Sequence, residues 1–239
     1  PSLTNVNGVL YFVADNGVTG TELWHSNGTA AGTVLVKDIL PGSDGSFSFL
    51  PAPFPRLTNV NGELYFVTNN GATGAELWRS NGTAAGTVLV KDILPGSVGS
   101  FPSGLINVNG VLYFGVDDGV HGYELWRSNG TAAGTILFKD IWPGGGSSGA
   151  SFPTNINGGL YFGADNGVQG AELWRSNGTA AGTILFKDIL PGSGGSFPYA
   201  LTNVNRVLYF VADDGVHGAE LWRFDTTMIR NAEREAEEN

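Results

Sequence analysis

The sequence predicts an all-β protein: a single five-bladed β-propeller of four-stranded antiparallel blades, with a short C-terminal tail that is helical or disordered. Three observations predict it. The tripeptide Glu-Leu-Trp occurs five times at nearly constant spacing, each repeat holds short strand-like runs separated by turn residues, and the middle runs are apolar on both faces. A period in the forties with four strands per unit is typical of propeller blades.

The spacing of the repeats is the strongest of these signals. Successive Glu-Leu-Trp tryptophans are 54, 48, 48 and 48 residues apart, at Trp24, Trp78, Trp126, Trp174 and Trp222. The strings Leu-Tyr-Phe, Asn-Gly-Thr-Ala-Ala-Gly-Thr and Lys-Asp-Ile keep the same phase. The longer first interval comes from about six extra residues in 47–56, which include three prolines and predict a longer loop.

Within the first repeat, the predicted strands are Leu3–Val6, Val9–Asp15, Thr21–Ser26 and Thr33–Leu40. Asn-Gly steps and single glycines separate them, and Asn-Gly is the strongest two-residue hairpin signal. A Pro-Gly-Ser step follows the fourth run and leads into the next repeat. Each repeat is therefore predicted to be four hairpin-linked strands followed by a glycine-rich crossover.

The run at residues 9–14, Val-Leu-Tyr-Phe-Val-Ala, places apolar side chains on both faces of the strand. A sheet with one face in water would alternate polar and apolar residues, whereas a blade packed between two neighbours is buried on both sides. The Leu-Tyr-Phe and Glu-Leu-Trp strands are thus predicted to form the packed middle of each blade. The main alternative is a parallel β-helix, but that fold normally uses shorter coils.

The predicted domain is residues 1–226, with a charged tail at 227–239; the repeats are approximately 1–50, 51–102, 103–151, 152–198 and 199–226. The fifth repeat has no counterpart of the fourth strand, so nineteen strands are expected where five complete blades need twenty. Three explanations remain open. The last blade has three strands, residues 226–230 substitute, or another segment of a longer protein completes it.

Composition excludes several classes of function. The formal net charge is −10, and nucleic-acid binding requires a basic face, so no nucleic-acid partner is expected. The chain has no cysteine, which excludes disulfides and cysteine-based metal sites. No apolar run approaches the length of a membrane helix, so membrane insertion is not expected. We expect a monomer, and a chain opening at Pro1 is expected to be a processed or excised piece of a longer one.

Residues 172–193 read Glu-Leu-Trp-Arg-Ser-Asn-Gly-Thr-Ala-Ala-Gly-Thr-Ile-Leu-Phe-Lys-Asp-Ile-Leu-Pro-Gly-Ser. This string resembles the ELWxxDGT repeat of bacterial surface and secreted proteins. The resemblance implies propeller-like repeats and a secreted or cell-surface location, and it implies no established activity. This sequence departs from the motif at its aspartate, which is Asn27, Asn81, Asn129 and Asn177 here. The near-identity of the copies also resembles a recently amplified or engineered symmetric propeller.

No catalytic constellation is predicted. The recurring carboxylates are Glu22, Glu76, Glu124, Glu172 and Glu220. Glycosidase chemistry needs two carboxyl groups in different environments, and equivalent copies give equal environments, so we interpret them as hydrogen-bond partners that fix turns. The Lys-Asp steps are interpreted as local ion pairs or turn caps, and the five tryptophans as core. The three histidines have no nucleophile or zinc partners arranged beside them.

The candidate ligand-binding residues lie in the turn between the second and third strands, where the copies differ most. Because strands alternate in direction, this turn and the crossover lie at the same end of the blade, and binding residues concentrate in such loops. The candidates are Thr19, Thr73, His121, Gln169 and His217, together with Asp15, Asp117, Asp165 and Asp213. The aspartates could donate oxygens to calcium, but each turn offers too few ligands, so no cofactor is predicted.

The sequence therefore favours a non-catalytic symmetric binding module, lectin-like, with glycans bound by loops between blades. Repeated weak sites would gain strength from multivalency. The first alternative is a structural repeat scaffold with no ligand. The second is an enzyme such as a glycosidase, which the equivalence of the acidic residues disfavours.

Overall fold

The computed structural model describes residues 3–48 and 57–226, apart from the side chain at position 152. The predicted charged tail at 227–239 lies outside the described residues, as does most of the predicted proline-containing loop. The described chain forms nineteen β-strands, the number expected from the sequence.

The strands form five antiparallel sheets, and each sheet corresponds to one sequence repeat. The first contains β1 (Leu3–Val6), β2 (Val9–Asp15), β3 (Thr21–Ser26) and β4 (Thr33–Lys37), and the second β5 (Thr58–Val60), β6 (Glu63–Asn69), β7 (Ala75–Ser80) and β8 (Val88–Lys91). The third contains β9 (Ser103–Val108), β10 (Val111–Asp117), β11 (Tyr123–Ser128) and β12 (Ile136–Lys139), and the fourth β13 (Ser151–Ile156), β14 (Gly159–Asp165), β15 (Ala171–Ser176) and β16 (Thr183–Lys187). The fifth contains β17 (Tyr199–Val204), β18 (Val207–Asp213) and β19 (Ala219–Asp225).

This architecture confirms the predicted fold class, an all-β five-bladed β-propeller. Four sheets have four strands in sequence order, and the fifth has three within the described residues. Three of the four predicted strands of the first repeat have the predicted limits. The fourth ends at Lys37 instead of Leu40, because the residues after Lys37 turn to form the crossover.

The first hairpin of each of the first four repeats is set by its Asn-Gly step. Asn7 and Gly8 both have positive φ, 52° and 85°, which the tight turn that matches strand twist requires. The Asn5 side-chain oxygen accepts a hydrogen bond from the Gly8 N–H at 2.9 Å. The fifth repeat keeps this turn with an arginine in the glycine position, since Arg206 has a φ of 72°.

The chain divides into two compact units. The first comprises residues 1–120 and 126–136, and the second comprises residues 121–125 and 137–239, so the division passes through the third sheet. One buried cluster of the first unit is Val6, Tyr11, Leu23, Val36, Ile39, Phe47, Leu57, Leu64, Phe66 and Trp78. One buried cluster of the second unit is Ile156, Tyr161, Leu173, Ile189, Leu201, Leu208, Phe210 and Ala212.

The second strands of the middle repeats are buried on both faces, as predicted. In β6, β10 and β14 the five central residues are all buried. In β2 of the first repeat only Tyr11 is buried, although the sequence Leu-Tyr-Phe is the same. Burial on both faces therefore depends on neighbouring repeats as well as on the strand's own residues.

Polar side chains tie neighbouring repeats together in the first unit. The Lys37 ammonium donates a 2.8 Å hydrogen bond to the Thr87 carbonyl and lies 5.9 Å from the ring centre of Trp78, within cation–π range. Lys91 repeats both contacts, with the Thr135 carbonyl and with Trp126 at 5.3 Å. Lys37 and Lys91 thus reach the next repeat, whereas the sequence was interpreted as giving local ion pairs or turn caps.

Candidate functional site

In the first four blades the crossover and the turn between the second and third strands lie at the same end, as predicted. We call the turn the tip turn; in the first repeat it is residues 16–20, and the crossover is residues 38–47. The Phe47 N–H donates to the Thr21 carbonyl of its own repeat at 3.2 Å, and the Asn69 N–H of the second repeat donates to the Ser46 carbonyl at 3.1 Å. The first crossover is therefore held between two strand ends, one beside its own tip turn and one beside the next tip turn.

A buried glutamate fixes each complete crossover. Glu22 is fully buried and accepts hydrogen bonds from the Leu40 N–H at 3.1 Å, the Ser46 N–H at 2.9 Å and the Ser46 hydroxyl at 2.6 Å. Equivalent bonds hold the crossovers of the second, third and fourth repeats, on Glu76, Glu124 and Glu172. This agrees with the interpretation of the recurring glutamates as partners that fix turns.

Burial changes the acidity of three of these carboxyl groups. Desolvation raises the pKa of Glu22, Glu76 and Glu124 above the usual value, and hydrogen bonds from the crossover oppose the shift. Glu220 of the fifth repeat differs because it is exposed. Four of the five glutamates are therefore occupied by the backbone, which fits structural use better than catalysis.

In four tip turns a glycine lies against a Leu or Trp side chain of the preceding crossover. Gly71 has a φ of 80°, and a Cβ there would lie 2.8 Å from a methyl carbon of Leu40. The same approach recurs between Leu94 and Gly119 in the first unit; in the second unit it recurs between Trp142 and Gly167, at 2.5 Å, and between Leu190 and Gly215, at 2.6 Å. Any other residue there would be strained by the positive φ and would displace the facing Leu or Trp side chain, so the tip turn favours glycine.

A cavity of about 350 Å³ lies at this end of the first unit, between the first crossover and the second tip turn. It is lined by Leu40, Pro41, Gly42, Ser43, Asp44, Asn69 and Gly71. The lining combines an apolar Leu-Pro surface with a hydroxyl, a carboxylate and an amide. This combination suits a small ligand rich in hydroxyl groups, because ligand sites typically pair apolar walls with a few placed polar groups.

The predicted aspartates lie at the end of the second strand and hold the tip turns. Asp15, Asp117, Asp165 and Asp213 each accept a 2.7 Å hydrogen bond from the glycine N–H two residues ahead. Asn69 makes the same bond to Gly71 in the second repeat. Such bonds are the usual turn chemistry of Asp and Asn.

The other predicted residues also bond within their own tip turns. Thr19 and Thr73 donate backbone and hydroxyl hydrogen bonds to Asn16 and Asn70. Gln169 pairs with Asn166, and His121 occupies the corresponding position of the third repeat. None of the nine predicted residues lines the cavity.

His217 is paired with a carboxylate of its own turn. Its Nδ1 lies 2.9 Å from the Asp214 Oδ2, and both atoms lie in an exposed turn of the fifth repeat. This hydrogen bond raises the pKa of His217 and holds the pKa of Asp214 well below its usual range. The pair is local and contacts no cavity described here.

The cavity residues that sequence reasoning missed belong to the crossover. Leu-Pro-Gly-Ser recurs after the fourth strand of the first, second and fourth repeats and was interpreted as a linker. Asp44 was not among the predicted candidates. The sequence does contain one signal for these residues. The first crossover has a carboxylate at a position where the next three crossovers have Val98, Gly146 and Gly194.

The structure also shows the burial of the repeated tryptophans and the arrangement of groups relevant to metal or membrane binding. Trp78, Trp126 and Trp174 are 5–7% exposed, so these three belong to the core as interpreted, while Trp24 and Trp222 are half-buried. Within residues 3–48 and 57–226, no group of three or more His, Asp or Glu side chains is arranged to hold a metal ion. Across the same residues no helix has the length and apolarity needed to cross a bilayer.

Comparison with known proteins gives structural similarity without sequence similarity. No family model and no curated protein sequence matches the chain. Among solved structures, a puromycin hydrolase mutant complexed with PGG matches with a TM-score of 0.57 and 14% identity, over 95% of this chain and 36% of that one. Prolyl oligopeptidase B from Galerina marginata matches with a TM-score of 0.53 and 9% identity, over 92% of this chain and 30% of that one.

The chain thus spans about a third of the length of these two proteins. Identities of 9% and 14% support a shared fold and nothing about activity. The similarity agrees with the propeller assignment made from the five sheets.

Proposed function

We propose that the protein is a non-catalytic binding module that takes neutral glycans at the crossover end of its blades. The observation that carries the proposal is the cavity of about 350 Å³ between the first crossover and the second tip turn. Ligand pockets usually run from about 300 to 1,000 Å³, so this one suits a ligand of one or two sugar rings.

The chemistry of the lining supports a neutral sugar over an anionic ligand. Ser43, Asp44 and Asn69 supply both acceptors and donors for sugar hydroxyls, while Leu40 and Pro41 offer an apolar face. Asp44 and a net charge of −10 repel anions. We therefore expect neutral glycans to bind and sialylated ones to be rejected.

The repeated architecture supports weak, multiple sites. The contact between a crossover and the next tip turn recurs twice in each unit, with different residues at the position of Asp44. Sites of unequal strength on one chain gain apparent affinity on a surface that presents many ligands. A secreted or cell-surface location, as the ELWxxDGT resemblance implies, belongs to this proposal.

The non-catalytic part of the proposal rests on the recurring carboxylates. Glu22, Glu76, Glu124 and Glu172 each hold backbone N–H groups of a crossover in the same geometry. Acid–base hydrolysis requires a pair of carboxyl groups whose environments separate their pKa values. The alternative of a scaffold without a ligand predicts no binding at all.

The test is a glycan array probed with the labelled full chain, followed by calorimetry with the strongest neutral hit. Asp44→Gly, which copies the residue found at Gly194, should weaken binding by about tenfold, the effect of losing roughly 1.4 kcal/mol. Asp15→Asn is the matched control because it removes the same charge from the same unit, away from the cavity lining.

The two variants separate three accounts. Loss of binding with Asp44→Gly alone supports the cavity. Loss with Asp15→Asn alone would favour the tip turns predicted from the sequence and contradict the cavity. Silence of the wild-type chain across neutral and sialylated glycans would leave the scaffold alternative.

A further inference from the structure

The fifth repeat ends on an edge strand whose sequence is that of an inner strand. Residues Ala219–Arg223 read Ala-Glu-Leu-Trp-Arg, identical to Ala171–Arg175 of the fourth repeat. In the fourth sheet this strand lies between β14 and β16, whereas in the fifth sheet β19 pairs with β18 alone among the described residues. One edge of β19 therefore presents groups that the other copies use to bind a fourth strand.

The side chains of β19 are exposed where their counterparts are buried. Leu221 is 71% exposed, whereas Leu173 is 1% exposed. Glu220 is exposed as well, while Glu172 is fully buried. A solvent-exposed apolar residue at a position that is apolar and buried in every other copy indicates a surface that is built to be covered.

The segment that covers this surface in the other repeats is the same each time. In the fourth repeat, Leu173 and Trp174 pair with Lys187 and Leu185 of β16. Ile189, Leu190 and Ser196 of the following crossover then bond Glu172 at 2.8, 3.2 and 2.9 Å through their N–H groups. A fourth strand and its crossover thus act together as one complementary segment.

We propose that β19 is an acceptor edge for a fourth strand of the repeat's own sequence, supplied by a second polypeptide. The donor is an extended segment like residues 184–196, Ile-Leu-Phe-Lys-Asp-Ile-Leu-Pro-Gly-Ser-Gly-Gly-Ser. Its strand adds to β19 by backbone hydrogen bonds, and its crossover N–H groups and last serine bind the Glu220 carboxylate. This is strand addition to a sheet edge, with side-chain pockets that give specificity.

One difference sets where the donor begins. In the other four copies a serine follows the string Glu-Leu-Trp-Arg or Glu-Leu-Trp-His. In the fourth repeat this serine is Ser176, and its hydroxyl oxygen accepts a 2.8 Å hydrogen bond from the Thr183 hydroxyl. The fifth copy has Phe224, whose ring packs edge-on against Phe186 at 4.7 Å. The donor is therefore expected to pair from its isoleucine onward, without the preceding threonine.

The experiment uses the full chain and a synthetic peptide of residues 184–196, with fluorescence anisotropy and calorimetry as readouts. We expect one peptide to bind per chain. Glu220→Ala should weaken binding at least about tenfold, and a Ser196→Ala peptide should weaken it by about threefold to tenfold. A Leu185→Pro peptide should not bind, because proline removes a ladder hydrogen bond.

Asp213→Asn is the matched control variant, since it removes one negative charge from the same repeat and the second repeat already has Asn69 there. It should leave peptide binding unchanged. Absence of peptide binding at a concentration where light scattering shows the wild-type chain to be monomeric would overturn the proposal. Binding that Glu220→Ala and the proline peptide leave intact would overturn it as well.

Discussion

The fourth and fifth repeats share the pentapeptide Ala-Glu-Leu-Trp-Arg, yet it lies in two different environments. In the fourth repeat its leucine is 1% exposed and its glutamate holds the crossover; in the fifth the leucine is 71% exposed and the glutamate faces solvent. The two environments differ because the fourth repeat has a described fourth strand and crossover, whereas the described part of the fifth repeat has neither. Burial of the central strand is thus conferred by the segment that follows it.

The largest expected effect is the difference in unfolding free energy between alanine variants of the buried and the exposed leucine. Leu173→Ala should lower the free energy of unfolding by about 2–5 kcal/mol, because it removes a fully buried side chain and leaves a cavity. Leu221→Ala, at an exposed position, should change it by less than about 0.5 kcal/mol. Urea denaturation of both variants measures this directly, and equal losses would show that Leu221 is covered in solution.

Substitution of the buried glutamate of the fourth repeat should destabilise the protein more than substitution of the exposed glutamate of the fifth. Glu172→Ala leaves the N–H groups of Ile189, Leu190 and Ser196 without their acceptor, which should cost about 2–3 kcal/mol of unfolding free energy. Glu220→Ala should cost no more than about 0.5 kcal/mol because the residue is exposed. Similar denaturation midpoints for the two variants would contradict the role assigned to the buried glutamates.

A third comparison is between corresponding glycines of the first and second tip turns, of which only the second faces a crossover side chain. Gly17 and Gly71 have φ values of 76° and 80°, but a Cβ would meet nothing within 4 Å at Gly17 and would lie 2.8 Å from Leu40 at Gly71. Gly17→Ala should cost about 1 kcal/mol from backbone strain alone. Gly71→Ala should cost about 0.5–1 kcal/mol more, because the Leu40 side chain must move out of its place. Equal thermal stabilities of the two variants would mean that the crossover does not press on the tip turn.

The smallest expected effect concerns pH. Burial raises the pKa of the Glu76 carboxyl in the folded state, so the folded protein binds this proton more tightly than the unfolded chain does. Stability should therefore fall as pH rises from the unfolded value of about 4.3 through the raised pKa, by about 1.4 kcal/mol for each unit of difference. Urea denaturation of wild type and Glu76→Gln between pH 4 and 8 checks this.

The Gln variant should show a shallower decrease with pH, because it has one fewer titrating group. A Gln variant whose stability falls more steeply than that of the wild type through the same window would mean that hydrogen bonds from the crossover outweigh desolvation at Glu76.

The repeat spacing and turn residues were sufficient to predict the strands. Asn-Gly steps and apolar runs gave β1, β2 and β3 their limits, because local turn chemistry and strand pairing agree there. The fourth strand was predicted three residues too long, since Asp38 to Leu40 are needed to reach Glu22. That requirement depends on a contact distant in sequence, which periodicity does not reveal.

The nine predicted binding residues stay a prediction: they lie in or beside the tip turns, and none of them lines the cavity. The variable positions of the tip turns drew attention to Thr19 and its equivalents, whose side chains serve the turn itself. The cavity depends on how one crossover meets the next tip turn, and only three-dimensional packing shows that Leu40 lies over Gly71. The sequence showed that the fifth repeat has no counterpart of the fourth strand, but it left open what completes the blade and so did not decide the exposure of Leu221.

The central claim is that the strand at Ala219–Asp225 is uncovered while its counterpart at Ala171–Ser176 is enclosed. The chain has no cysteine, so single variants Leu173→Cys and Leu221→Cys can each be labelled with a thiol reagent and compared with the rate in denaturant. We expect the thiol at position 221 to react at nearly the denatured rate and the thiol at position 173 to react at least about a hundredfold more slowly. Comparable protection at both positions would contradict the account.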